Sequence, residues 1–312
     1  MISFRYHVVS IVAVFLALAL GVVVGTTVLN GPITTNLRQQ VASLKSDRSS
    51  LTSQNSVLQN QLNDSNQFAS TFGGQIVQGA LAGQSVAIIG MPGASDAIQN
   101  SLAAEVVAAG GKVADQAQFT ADFTDPRQAD DIRSLVVSAH PIGLVLPTVT
   151  DPGTLAGSLI GYVLLSGHSQ QTDIQQVFTA FATQQLLRIQ SGTLGPATLA
   201  LIVTSGSLAV GDAGGQTELS LITRLGLAGG GTVVAGDTPS STQGGLVALV
   251  RASAADKASV STVDDADTAG GQVTTVLALA SAATGKSGAY GTGSGAVSLF
   301  PAQIATKPAA AK

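Results

Sequence analysis

The chain opens with an uninterrupted apolar run. Residues 8–29 read VVSIVAVFLALALGVVVGTTVL and contain no charged side chain over 22 positions. A helix of this length rises about 33 Å, which is enough to cross a hydrocarbon core of roughly 30 Å. A cleaved signal peptide has a shorter apolar core and a small-residue cleavage site, and no A-x-A pattern follows here. We predict a single-pass membrane anchor over residues 1–30.

The charges flanking this run do not fix its orientation by count alone. Arg5 precedes it, whereas Arg38, Lys45 and Arg48 follow it. The preceding segment is short, and long domains are translocated largely regardless of their charge. We therefore expect the N-terminus in the cytoplasm and the C-terminal domain outside the cell membrane, in the cell envelope.

A heptad pattern follows the apolar run over residues 31–73. We expect a new helix to begin near Pro32, because proline suits the first turn of a helix. Apolar residues then recur at alternating spacings of three and four, which is typical of a two-stranded coiled coil. A single Asn at an inner position fixes register and favours a parallel dimer. The predicted seam of a parallel homodimer consists of Leu37, Val41, Leu44, Leu51, Asn55, Leu58 and Leu62. The alternative is a lone helix that packs on its own globular domain.

Residues 75–290 alternate between short apolar runs and longer helical patterns. Runs such as 86–89 and 197–204 are typical of buried parallel strands. Ser95 is a suitable N-cap for a helix after the first strand. We also predict a helix over 171–190 and a strand over 246–250. The sequence thus predicts one three-layer α/β domain with a mainly parallel sheet, followed by a flexible C-terminal tail over 291–312.

Composition excludes several classes of protein. Charged residues make up only 10% of the 312 residues, against a usual value of about 25%. With 14 basic against 18 acidic residues and no basic stripe, nucleic acid is not an expected partner. The absence of cysteine excludes disulfides and thiolate metal sites.

Candidate chemical motifs are weak. The glycine-containing turn at residues 90–93 follows the first strand but does not match G-x-G-x-x-G, so a tight turn is favoured over a nucleotide site. Asp264, Asp265 and Asp267 form the densest acidic cluster, without the spacing of an EF-hand. We expect these carboxylates near the start of the following helix, where negative charge is favourable, and a Mg²⁺ or Ca²⁺ site is the alternative. We expect no catalytic residue, no cofactor and no enzymatic activity.

Two segments carry a resemblance to a known family. They are SFRYHVVSIVAVFLALALGVVVG at residues 3–25 and the VDDAD and YGTG motifs within residues 263–296. Together with the Leu heptads, they resemble the actinobacterial family of the mycobacterial copper transport protein MctB and the corynebacterial cell-separation protein SteB. The resemblance implies an anchored envelope protein with a role in copper transport or homeostasis. The alternative it implies is a non-enzymatic dimeric scaffold that regulates cell separation through a peptidoglycan-hydrolase system.

Residue chemistry favours a scaffold with an envelope protein partner over a copper-binding protein. Cu(I) prefers Cys and Met ligands, and Cu(II) accepts His. The sequence has no Cys, two methionines at Met1 and Met91, and three scattered histidines at His7, His140 and His168. The identity of any metal ligand therefore stays unknown from the sequence.

Overall fold

The N-terminal quarter of the chain is one long helix. The computed structural model describes residues 4–209 and 211–302, with the backbone alone described for residues 26–34. Helix α1 spans Phe4–Val77, 74 residues, so the helix boundary expected near Pro32 is wrong. A break in the helix would leave up to eight backbone groups without helical partners, four at each new end. A proline inside a continuous helix removes only one backbone N–H donor, so the continuous helix loses fewer hydrogen bonds. The chain divides into two compact units between Asp64 and Ser65.

The second unit contains the alternating elements that the sequence predicts. Helices and strands alternate from residue 85 to residue 290 and form one α/β domain. Its elements are β1 Ser85–Gly90, α2 Asp96–Ala108, β2 Lys112–Phe119, α3 Ala129–Ala139, α4 Pro152–Leu165, α5 Gln171–Thr183, β3 Leu187–Gly192, β4 Leu199–Thr204, α6 Ala213–Leu227, β5 Gly231–Gly236, α7 Leu246–Ala252, β6 Val260–Val263, α8 Ala269–Ala282 and β7 Ala289–Tyr290.

The strands form one seven-stranded sheet in the order β3-β2-β1-β4-β5-β6-β7. All neighbouring pairs are parallel except β2 and β3, which are antiparallel. The chain leaves β1 towards β2 and β3 and later returns to place β4 on the other side of β1. The predicted three-layer domain with a mainly parallel sheet is confirmed.

Each face of the sheet carries its own apolar core. Side chains alternate between the two faces of a strand. In β1, Ile89 therefore packs in the core on one face and Ile88 in the core on the other. The first core also contains Leu159 of α4 and Leu221 of α6, and the second contains Leu279 of α8. Burial on both faces explains the continuous apolar runs of the strands.

Helices α4 and α6 are in unusually close contact through a row of glycines. An added Cβ at Gly157 would lie 2.6 Å from the backbone oxygen of Leu221, and one at Gly161 would lie 2.7 Å from the Cβ of Ala228. Such distances leave no room for a side chain. Glycine at these positions therefore sets the spacing of the two helices.

Two predicted elements are wrong. The helix expected over 171–190 ends at Thr183, and the chain turns through Gln185 with a φ of 60° into β3, which pairs with β2. The strand expected over 246–250 is helix α7. A short apolar run cannot by itself distinguish a buried strand from a buried helix. A strand over 246–250 would have to pair with the free edge of β5, and in this fold β6 pairs with that edge.

Candidate functional site

The first functional feature is the membrane-length part of α1. Within the described part of the chain, Phe4–Gly25 alone is long and apolar enough to cross a membrane, with a mean hydropathy of 2.9 over its most apolar window. None of that window is buried within the chain. An exposed apolar helix of this length has the character of a membrane anchor.

The second feature is the predicted seam of the coiled coil. Its apolar side chains are all exposed in the single chain, from 54% at Leu37 to 67% at Leu44. Soluble proteins rarely leave a continuous apolar stripe of this kind in contact with water.

The third feature is a buried ion pair at the carboxyl end of the sheet. Asp264 follows β6 and is fully buried, and Arg251 of α7 is also buried. The Arg251 Nη1 atom donates to Asp264 Oδ2 over 2.7 Å, and Arg251 Nε donates to Thr262 Oγ1 over 2.9 Å. Sequence reasoning missed Arg251, because nothing near it in the chain marks it as the partner of Asp264.

This ion pair orders the segment that follows β7. The backbone N–H groups of Thr292 and Gly293 each donate to Asp264 Oδ1 over 2.8 Å. Arg251 in turn donates to the carbonyl oxygens of Tyr290, at 2.8 Å, and Ser294, at 2.6 Å.

These bonds join the VDDAD and YGTG motifs of the sequence. Gly291 has a φ of 118°, and a Cβ there would lie 2.3 Å from Asp264 Oδ1, so this position requires glycine. The backbone at Thr292 and Gly293 is held by hydrogen bonds to a buried side chain, and flexibility of the tail from residue 291 stays a prediction. The rest of the predicted tail, residues 303–312, lies outside the described residues.

The acidic cluster lies in the loop between β6 and α8, near the start of the helix, as expected. Thr268, not an aspartate, caps α8 by accepting a hydrogen bond from the Gly271 N–H over 3.0 Å. Burial, with a smaller contribution from the negative charge of Asp264, raises the pKa of Asp265 to about 6. Burial also raises the pKa of Asp267. No group of three or more potential metal-ligating His, Asp or Glu side chains occurs in the described residues. The Mg²⁺ or Ca²⁺ alternative therefore gains no support.

The remaining candidate residues are dispersed. The turn at residues 90–93 is tight, with the Ala94 N–H donating to the Met91 oxygen over 3.0 Å and Gly93 at a φ of 78°. The Met91 side chain is buried in the apolar core, and His140 and His168 are exposed on separate segments. Met1 lies outside the described residues. The fold does not bring the soft and imidazole donors of the described residues into one cluster.

These features define an α/β protein that carries one membrane-length apolar helix at its N-terminus. Residues 1–301 match the family described as "Copper transport outer membrane protein, MctB". The Copper transporter MctB of Mycobacterium tuberculosis (strain H37Rv) is 36% identical over 315 residues, which cover 97% of this chain and 100% of that protein. The Copper transporter MctB of Mycobacterium leprae is 35% identical and covers 96% of this chain and 99% of its own.

The chain therefore belongs to the MctB family, as its N-terminal segment and its VDDAD and YGTG motifs suggest. The names of these relatives describe transport and no chemical reaction. The cell-separation alternative gains no support from these comparisons.

Proposed function

We propose that this protein is a membrane-anchored, non-enzymatic component of copper transport at the cell envelope. The observation that carries the proposal is the match to the MctB family over residues 1–301, with relatives named as copper transporters along nearly their full length. In this role copper is the cargo and not a resident cofactor.

The described part of the α/β domain has no cluster of side chains suited to binding copper. Met91 is buried among apolar side chains, and the histidines of the α/β domain are separate from each other. A stable Cu(I) site needs clustered Cys, Met or His ligands. The described part of the domain thus acts through its surface and its assembly, and purified protein should bind Cu(I) no more tightly than a protein of similar His and Met content.

The anchor has a proposed orientation. The segment Phe4–Gly25 crosses the cell membrane with the N-terminus in the cytoplasm, and the α/β domain lies outside. Long C-terminal domains are translocated largely regardless of charge, which supports this orientation. A reporter that is active only in the cytoplasm, fused after Lys312, should be silent, and the same reporter fused before the anchor should be active. The opposite result would reverse the orientation.

The seam supports a parallel homodimer as the assembled state. The exposed apolar positions of α1 recur with heptad spacing, and two chains anchored in one membrane start from the same side. Pairing of two such helices removes the stripe from water, which is the main driving force of coiled-coil association.

Copper phenotype is the direct test of the proposed function. A deletion strain should lose copper tolerance and accumulate copper, and the wild-type chain should restore both. Leu51→Ser removes an apolar seam residue from both chains and should fail to restore them if the dimer is needed. Val57→Ser is the matched control, because Val57 is comparably exposed on the same helix but lies off the seam. Unchanged tolerance and copper content in the deletion strain would refute the role in copper transport.

A further inference from the structure

A shallow groove on the surface of α1 lies along the predicted seam. It has a volume of about 370 Å³, and it is bordered by Leu44, Asp47, Arg48, Leu51, Thr52 and Asn55. In a parallel coiled coil, each inner side chain of one helix inserts between four residues of the facing helix. An inner side chain at position 48 inserts between residues 44, 47, 48 and 51, and one at position 51 inserts between residues 48, 51, 52 and 55. Together, these two sets are the six residues that border the groove.

Two opposite charges lie next to each other in this groove. Arg48 occupies an inner position of the heptad pattern, midway between Val41 and Asn55, and Asp47 directly precedes it as the only acidic residue of the sequence from 37 to 62. Among the described residues, neither side chain has an ion-pair partner within the single chain, since consecutive residues of a helix do not face each other. Asp47 Oδ2 accepts a hydrogen bond from Ser43 Oγ over 3.4 Å. The opposite charges are therefore available for a partner outside the chain.

We propose that the groove receives Arg48 and Leu51 of a second copy of this chain, and that each Arg48 forms an ion pair with Asp47 of the partner subunit. In a parallel pair without offset, residue 47 of one helix borders the space that receives residue 48 of the other. The twofold symmetry of such a dimer gives two identical ion pairs. The apolar stem of Arg48 covers the seam while its charged head reaches the edge, where Asp47 lies. This inference rests on the homodimer proposed above and adds the contact that fixes its direction and register.

Other alignments of the two helices lose this contact. An offset of one heptad would place the two Arg48 side chains beside Gln54 of one helix and Gln40 of the other, so both ion pairs would be absent. The same offset would place Asn55 opposite Arg48 or Leu62 instead of opposite its own counterpart. The ion pairs and the inner Asn55 thus favour the same register through two different interactions.

Two charge variants of the full chain in detergent test the contact. Asp47→Lys places a positive charge beside Arg48 of the partner subunit, and Arg48→Glu places a negative charge beside the partner's Asp47, so each variant should repel a copy of itself. A mixed dimer of the two variants restores both attractions. With the variants co-expressed under different affinity tags, we expect the ratio of mixed to self-paired dimers to exceed that of random pairing by at least about tenfold at low salt. This preference should fall as the salt concentration rises.

The matched control places the same net charges off the seam. Ser49→Lys/Ser50→Lys and Ser49→Glu/Ser50→Glu change the charge of the chain by the same amounts as the two test variants, at outer positions of the same turn. The control chains should pair close to randomly. A mixed-dimer preference of the test variants that is no greater than that of the control overturns the ion pair, because attraction between net charges would then explain it.

Cysteine substitution distinguishes a wrong ion pair from a wrong homodimer. The chain has no cysteine of its own. With oxidised glutathione, Leu51→Cys should therefore give disulfide-linked dimers, because the two residues face each other in a parallel pair without offset, whereas Val57→Cys at an outer position should not. Cross-linking at position 51 without a mixed-dimer preference would overturn the ion pair and leave the homodimer standing. No cross-linking, together with a monomeric wild-type chain, would overturn both. Copper tolerance and copper content of the deletion strain test the transport role separately.

Discussion

Removal of the Arg251 guanidinium should weaken the region that joins the VDDAD and YGTG motifs. Arg251→Met keeps most of the apolar stem but loses the bonds to Asp264, Thr262, Tyr290 and Ser294. It also leaves the fully buried carboxylate of Asp264 without its cation. Breaking a buried ion pair by removing one partner costs about 3–5 kcal/mol. Asp264 keeps its two backbone donors, so we expect a loss near the lower end of that range.

Two measurements report on this loss in the full chain. Urea unfolding followed by circular dichroism gives the change in the free energy of unfolding. Hydrogen exchange gives the local effect, and we expect the Thr292 and Gly293 amides to lose protection, because they donate to Asp264. Arg127→Met is the matched control, since Arg127 pairs with Asp125 on the surface and is 88% exposed. Exposed pairs of this kind often contribute nothing measurable.

A double-mutant cycle separates the ion pair from the loss of packing. Asp264→Asn alone leaves Arg251 buried without a counter-charge, and combination with Arg251→Met removes both charges. We expect the double variant to be less destabilised than the sum of the two single variants, by about 1–3 kcal/mol. The reasoning is refuted if Arg251→Met has no more effect than Arg127→Met, or if the two losses simply add.

Three further predictions address packing, pH and assembly. Gly157→Ala should destabilise the α/β domain by about 1–3 kcal/mol in urea unfolding, because the new Cβ meets the backbone of Leu221. Gly74→Ala is the control and should not destabilise the domain, because there is open space around Gly74. The raised pKa of Glu218 stabilises the fold fully below pH 4.5, and this contribution is lost as pH rises to about 8. Glu218→Gln should therefore flatten the pH dependence of stability, and an unchanged slope would contradict it. Asn55→Leu should raise the thermal stability of the coil and give trimers or mixed registers in analytical ultracentrifugation. A wild-type chain that is monomeric at high concentration would instead exclude the homodimer.

The sequence alone determined the membrane-length helix and the class of the fold. Both depend on local patterns: an uncharged run long enough to span a bilayer, and buried strands that alternate with helical segments. Ser95 was predicted as an N-cap for the same reason, because its side chain needs only a backbone N–H three residues away, that of Ile98.

Tertiary structure decided the elements whose local signals are ambiguous. The apolar residues of α7 fit either a strand or a helix, and the choice depends on β6 occupying the neighbouring edge of the sheet. Residues 187–192 become strand β3 because β2 offers them a pairing edge. The boundary expected near Pro32 is absent because continuation of α1 satisfies more backbone groups than a break.

The sites depended even more on the tertiary structure. Asp264 was singled out from its acidic neighbours, but its role depends on Arg251, 13 residues away, and on backbone N–H groups 28 and 29 residues away. Glu218 carries no sequence signal, since one glutamate in an amphipathic helix is ordinary until the fold buries it. Burial and partner choice are properties of packing between distant segments, and local patterns determine only the segments themselves.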